Sequence, residues 1–83
     1  MKLTETPLAG LFILEPQVLE DNRGFFMESY NKKKLEDLGI QAEFVQDNHS
    51  KSIKGVIRGL HFQNPPHEQT KLIRAVAGEL LDV

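Results

Sequence analysis

Apolar and polar positions alternate along this chain in short runs, and turn signals interrupt the runs about every ten residues, an all-β rhythm. Gly10 to Leu14 reads as a strand ended by Glu15-Pro16. Asp21-Asn22-Arg23-Gly24 reads as a turn. Phe25 to Tyr30 reads as a strand with Phe26, Glu28 and Tyr30 on one face. The spacing then changes. Asn31 can cap a short helix from Lys32 to Leu38 that Gly39 closes, with Leu35 and Leu38 as its apolar edge. Lys32, Lys33 and Lys34 occupy its first turn, where the helix dipole disfavours cations.

Period two returns in the second half. Ala42 to Asn48 places Phe44, Gln46 and Asn48 on one face and Val45, Asp47 and His49 on the other. Ser50 to Gly55 is a polar loop, and Val56 to Gln63 the next strand. Asn64-Pro65-Pro66-His67-Glu68 is a turn, because two prolines do not fit a paired central strand. Thr70 to Ala77, and Leu80 onward, complete the expected strands around a Gly78-Glu79 turn. About five or six short strands with one helix imply an antiparallel sandwich, roughly half of an eight-stranded jelly roll. Half a sandwich leaves an apolar sheet face uncovered. The sequence stops at Leu80-Leu81-Asp82-Val83, inside an expected strand, so a fragment, or a chain whose other half is missing, is the expectation.

Composition narrows the function classes. At 83 residues there is room for one small domain at most. Without cysteine there is no thiol nucleophile, disulfide or Cys-based zinc site. Ten basic and twelve acidic residues give a net charge of -2, unsuited to general nucleic-acid binding. No run is long enough to span a membrane, and a cytoplasmic location is the expectation.

The chemistry concentrates in Gly55-Val56-Ile57-Arg58-Gly59-Leu60-His61-Phe62-Gln63 and in Lys71-Leu72-Ile73-Arg74. A histidine base and a lysine cation on neighbouring strands suit removal of a proton beside a carbonyl. Regular alternation puts Arg58 on the face opposite His61, and a bulge at Gly59 is what would bring them together. Periodicity alone favours the plainer reading, in which Arg58 is a surface residue and His61 a hydrogen-bonded core histidine. The counterweight is that Gln46, Asn48, His61, Gln63 and Lys71 all fall on apolar strands. Each left unpaired in a dry core costs about 1–3 kcal/mol. The spacing of His61, Gln63 and Glu68 also has the outline of a cupin metal motif, but glutamine is a poor transition-metal ligand, so no metal is expected.

Several motifs in series carry a resemblance: Asp21-Asn22-Arg23-Gly24-Phe25-Phe26, Phe44-Val45-Gln46-Asp47-Asn48-His49-Ser50, Gly55 to Gln63, Gln69-x-Lys71-Leu72 and Gly78-Glu79-Leu80-Leu81-Asp82-Val83. From about Leu11 to Val83 the chain resembles the dTDP-4-dehydrorhamnose 3,5-epimerases. The resemblance implies a cupin-type jelly roll of about twice this length. It also implies a homodimer that shares strands and site residues, and a reaction with neither cofactor nor metal. The implied substrate is dTDP-4-dehydro-6-deoxyglucose, and the product feeds L-rhamnose synthesis. By motif, His61 resembles the general base and Lys71 the cation beside the C4 oxygen. Arg23 and Arg58 resemble diphosphate contacts. Phe26, Glu28, Gln46, Asp47 and Asn48 resemble further substrate contacts, with Phe26 and Glu28 serving the partner's pocket. The family's acid tyrosine, and the aspartate paired with its histidine, lie in the second half of the fold. Tyr30 does not match the first and Asp82 does not match the second, so residues 1–83 alone are expected to be inactive. A related single-carbon epimerase or ketoisomerase, and a non-catalytic module that binds sugar nucleotides or self-associates, are the alternative readings.

Overall fold

The computed structural model describes residues 1–83, which divide into two units, residues 1–43 and 44–83. All regular structure lies in the first. Strand β1 (Lys2–Glu5) pairs antiparallel with β2 (Phe12–Glu15), with Leu3 opposite Leu14 and Lys2 opposite Glu15. Leu3 and Leu14 are both half-buried, so one face of this hairpin turns inward. The connection is built on Thr6. Its hydroxyl accepts from the Leu8 N–H at 3.2 Å and can donate to the carbonyl oxygens of Leu8 at 3.1 Å or Leu11 at 2.9 Å. The Leu8–Leu11 turn uses residues expected to open the strand, and β2 accordingly starts at Phe12.

A second antiparallel hairpin joins β3 (Val18–Asp21) to β4 (Gly24–Met27), with Asp21 opposite Gly24 and Val18 opposite Met27. The two-residue loop, Asn22-Arg23, is where the turn was expected. Neither loop residue takes positive φ, which falls instead on Gly24 at +131°, a value that a side chain would strain. The two hairpins are separate two-stranded sheets.

Helix α1 (Lys32–Asp37) forms as its caps dictate. The Asn31 side chain accepts from the Lys34 N–H at 3.1 Å, and Gly39 takes φ +92° just past the end. Its three lysines are accommodated by ion pairs. Lys32 meets Glu36 at 3.9 Å and Lys33 meets Asp37 at 3.7 Å, each one turn along. Lys34 reaches back to Glu28 at 2.8 Å. Leu35 is the one buried apolar side chain, at 2% exposure.

Residues 44–83 contain no helix or strand. This corrects the strands expected at 42–48, 56–63, 70–77 and from 80 onward. Local features do form: the His67 N–H donates to the Asn64 carbonyl at 2.9 Å, closing the expected turn, and Gly55 and Gly78 take positive φ. The ladders do not form. A strand persists only when its N–H and C=O groups find a neighbouring chain segment. Turn chemistry is local, whereas ladder partners here are not. Val45, Ile57, Leu60, Phe62 and Leu81 are each more than three-quarters exposed, so the apolar side chains of the expected strands are uncovered.

Candidate functional site

The residues singled out in the first unit gather around the β3–β4 hairpin. Arg23 sits in its loop, held by Asp21 at the end of β3. The Arg23 N–H donates to Asp21 Oδ1 at 2.8 Å, and the guanidinium donates through Nη2 to Oδ2 at 2.6 Å and through Nε to the same oxygen at 3.1 Å. These bonds hold the Asp21 carboxyl below its ordinary range, with the guanidinium contributing most, and raise Arg23 in turn. Leu19, Asp21, Arg23, Gly24, Phe25 and Phe26 line an open groove of about 280 Å³. Arg23 and Phe26 are thus brought together. Both phenylalanines are about two-thirds exposed, and an exposed aromatic beside an arginine fits a ligand that has both an anionic group and a flat ring.

Glu28 does not continue the face of Phe26. Strand β4 ends at Met27, and Glu28 turns to α1 instead. The Lys34 ammonium, and after it the Asn31 side chain, hold its carboxyl below the ordinary glutamate range.

In the second unit, Gln46 Nε2 donates to Asn48 Oδ1 at 3.2 Å, a local contact that forms without a strand. Arg58 Nε donates to Ser52 Oγ at 3.1 Å. Asp47, His61 and Lys71 are exposed, and the latter two make no side-chain hydrogen bond or ion pair. Without a strand at 56–63, neither the period-two separation of Arg58 from His61 nor the bulge at Gly59 applies, although Gly59 does take φ +123°. Gln46, Asn48, His61, Gln63 and Lys71 all face solvent, so the desolvation argument for a polar pocket does not apply to them here. No three His, Asp or Glu side chains gather into a possible metal-binding set, and no helix is long and apolar enough to cross a membrane.

The sequence reading passed over Asp21 and Lys34 as partners. A signal existed for Asp21: an aspartate two residues before an arginine in a turn can bind both its backbone and its fork.

A sequence model described as dTDP-4-dehydrorhamnose 3,5-epimerase matches residues 5–83. The chain belongs to this family. A family member from Shigella flexneri is 55% identical over 84 residues, covering all of this chain and 46% of the relative. A crystal structure of the Elizabethkingia anophelis epimerase, 56% identical, matches 82% of this chain and 38% of its own with a TM-score of 0.74. The Bacillus anthracis epimerase, described with TDP and PPi bound, is 53% identical and matches 81% of this chain and 39% of its own, again at 0.74. The chain therefore spans under half the length of these family members.

Proposed function

We propose that residues 1–83 are the N-terminal part of a jelly-roll epimerase that inverts C3 and C5 of dTDP-4-dehydro-6-deoxyglucose on the way to dTDP-L-rhamnose. The observation that carries this reading is the family match along residues 5–83, with its motifs in unbroken order. The Bacillus anthracis relative, solved with TDP and PPi, supports a thymidine-diphosphate ligand. In this reading residues 44–83 form their strands against the part of the family fold that has no counterpart in this chain. The whole works in the cytoplasm as a homodimer, without cofactor.

Both reacting carbons flank the C4 ketone, so removal of either hydrogen leaves an enolate. His61 takes the proton, and the Lys71 ammonium stabilises the negative charge growing on the C4 oxygen. An acid on the opposite face of the ring returns a proton there and inverts the carbon; that acid belongs to the other half of the family fold. Arg23 and Arg58 hold the diphosphate through their planar forks. Gln46, Asp47 and Asn48 hydrogen-bond the nucleotide sugar. Phe26 supplies a flat apolar contact and Glu28 an acceptor, both to the partner subunit's pocket.

The test uses a chimera in which residues 1–83 replace the matching segment of the Shigella flexneri relative. In D2O the chimera exchanges deuterium into C3 and C5 of the substrate. His61→Ala lowers that exchange at least 100-fold, the lower bound of what a positioned base supplies. Exchange at an undiminished rate in the alanine variant removes His61 as the base. Exchange at one carbon only assigns the chain to a single-carbon epimerase.

A further inference from the structure

Asp21 makes two kinds of contact with Arg23. One is architectural: Oδ1 accepts the Arg23 backbone N–H at 2.8 Å and fixes the hairpin loop. The other grips the side chain: Nε and Nη2 donate to Oδ2 at 3.1 and 2.6 Å, and Nε also reaches Oδ1 at 3.3 Å. The carboxylate therefore occupies the Nε/Nη2 edge of the guanidinium and leaves the Nη1 edge without a protein partner. Arg23 is nonetheless 87% exposed, at the rim of the groove with Phe25 and Phe26. An arginine so placed, without the carboxylate, would spread over many rotamers and have to be ordered when a ligand arrives.

We propose that Asp21 is a positioning residue: it holds Arg23 in place, so that the free edge of the guanidinium is already set for the diphosphate. This rests on the assignment of Arg23 to the diphosphate. Asp21 also places a negative charge near the incoming anion. That repulsion acts between solvent-exposed groups, with the guanidinium between them, and is screened by salt. The gain from ordering is therefore the larger effect.

Asp21→Asn separates the two contacts. Its amide oxygen still accepts the Arg23 N–H and the long Nε contact at 3.3 Å, but its NH2 cannot replace Oδ2 as acceptor for Nε and Nη2, so the stronger part of the grip is lost. Calorimetric titration of the chimera with dTDP, and separately with thymidine, gives the readout. Asp21→Asn weakens dTDP binding about three- to tenfold, the range for losing one pre-ordered long side chain, and leaves thymidine binding unchanged. KM for the substrate rises by more than kcat falls. Arg23→Ala also loses dTDP affinity, and adding Asp21→Asn to it changes nothing more. Unchanged or tighter dTDP binding in Asp21→Asn overturns the proposal, as does an equal loss of thymidine, which would make Asp21 purely structural. If Arg23→Ala binds dTDP like the parent, the assignment of Arg23 itself fails. If Arg23→Ala weakens binding and Asp21→Asn does not, only the role of Asp21 fails.

Discussion

As an isolated chain, residues 1–83 should unfold with unusually weak dependence on denaturant. The accessible surface of the chain is 8389 Å². A compact monomer of its 9.4 kDa mass has about 5,000 Å², and its unfolded chain about 13,600 Å². Unfolding thus exposes about 5,200 Å² rather than the about 8,600 Å² of a compact domain, a ratio of about 0.6. The denaturant slope m scales with the area exposed. A urea titration of the isolated segment, followed by far-ultraviolet circular dichroism, should give an m value about 60% of that of a compact protein of this length. Without denaturant, the segment should bind an apolar dye through side chains such as Phe62, Ile57 and Leu81, which are 81–93% exposed. A steep transition with full m and no dye binding would show that residues 44–83 condense alone, and would refute the argument that their ladders need distant partners.

Other expectations concern the first unit. Asn31→Ala removes the cap of a helix whose first turn holds no acidic residue, at a cost of about 1 kcal/mol. The Shigella relative's length, about 180 residues from the 46% coverage, sets the scale for the chimera. The melting temperature there should fall about 2–4 °C in a thermal scan. The Lys34–Glu28 pair should show in pH dependence. The folded Glu28 carboxyl lies below its ordinary 4.5, so its stabilising effect is complete above that value and is lost as pH falls through the depressed one. In carboxyl-resolved NMR the Glu28 midpoint should lie below 4.5 and move up toward it in Lys34→Met; an unmoved midpoint would remove Lys34 as the cause.

What the sequence disclosed divides along sequence separation. The Asn31 cap, the Gly39 stop and the Asp21–Gly24 turn depend on residues within a few positions of one another, and the structure has all three. Strands β1 and β3 went unread because Lys2–Glu5 holds one apolar residue and Val18-Leu19-Glu20-Asp21 does not alternate. In residues 44–83 the alternation was legible, but alternation shows which face is apolar and cannot supply a hydrogen-bonding neighbour. The candidate site divides in the same way. Its residue types were legible from motifs in series, whereas the faces that alternation assigned to Gln46 and Asn48 have no strand to carry them. The grips of Asp21 on Arg23 and of Lys34 on Glu28 had to be seen, because rotamers rather than spacing decide them.

All strand pairing in this chain joins neighbours in sequence, β1 with β2 and β3 with β4. On a ribosome such pairs can close as soon as they clear the exit tunnel, since hairpins form in about 1–10 μs while synthesis adds about 5–20 residues per second. The stretch that follows has no such local refuge. For seconds at a time its bare Val, Ile, Leu and Phe side chains are exposed to the crowded cell, and chaperone capture during translation should map to residues 44–83 and spare the hairpins.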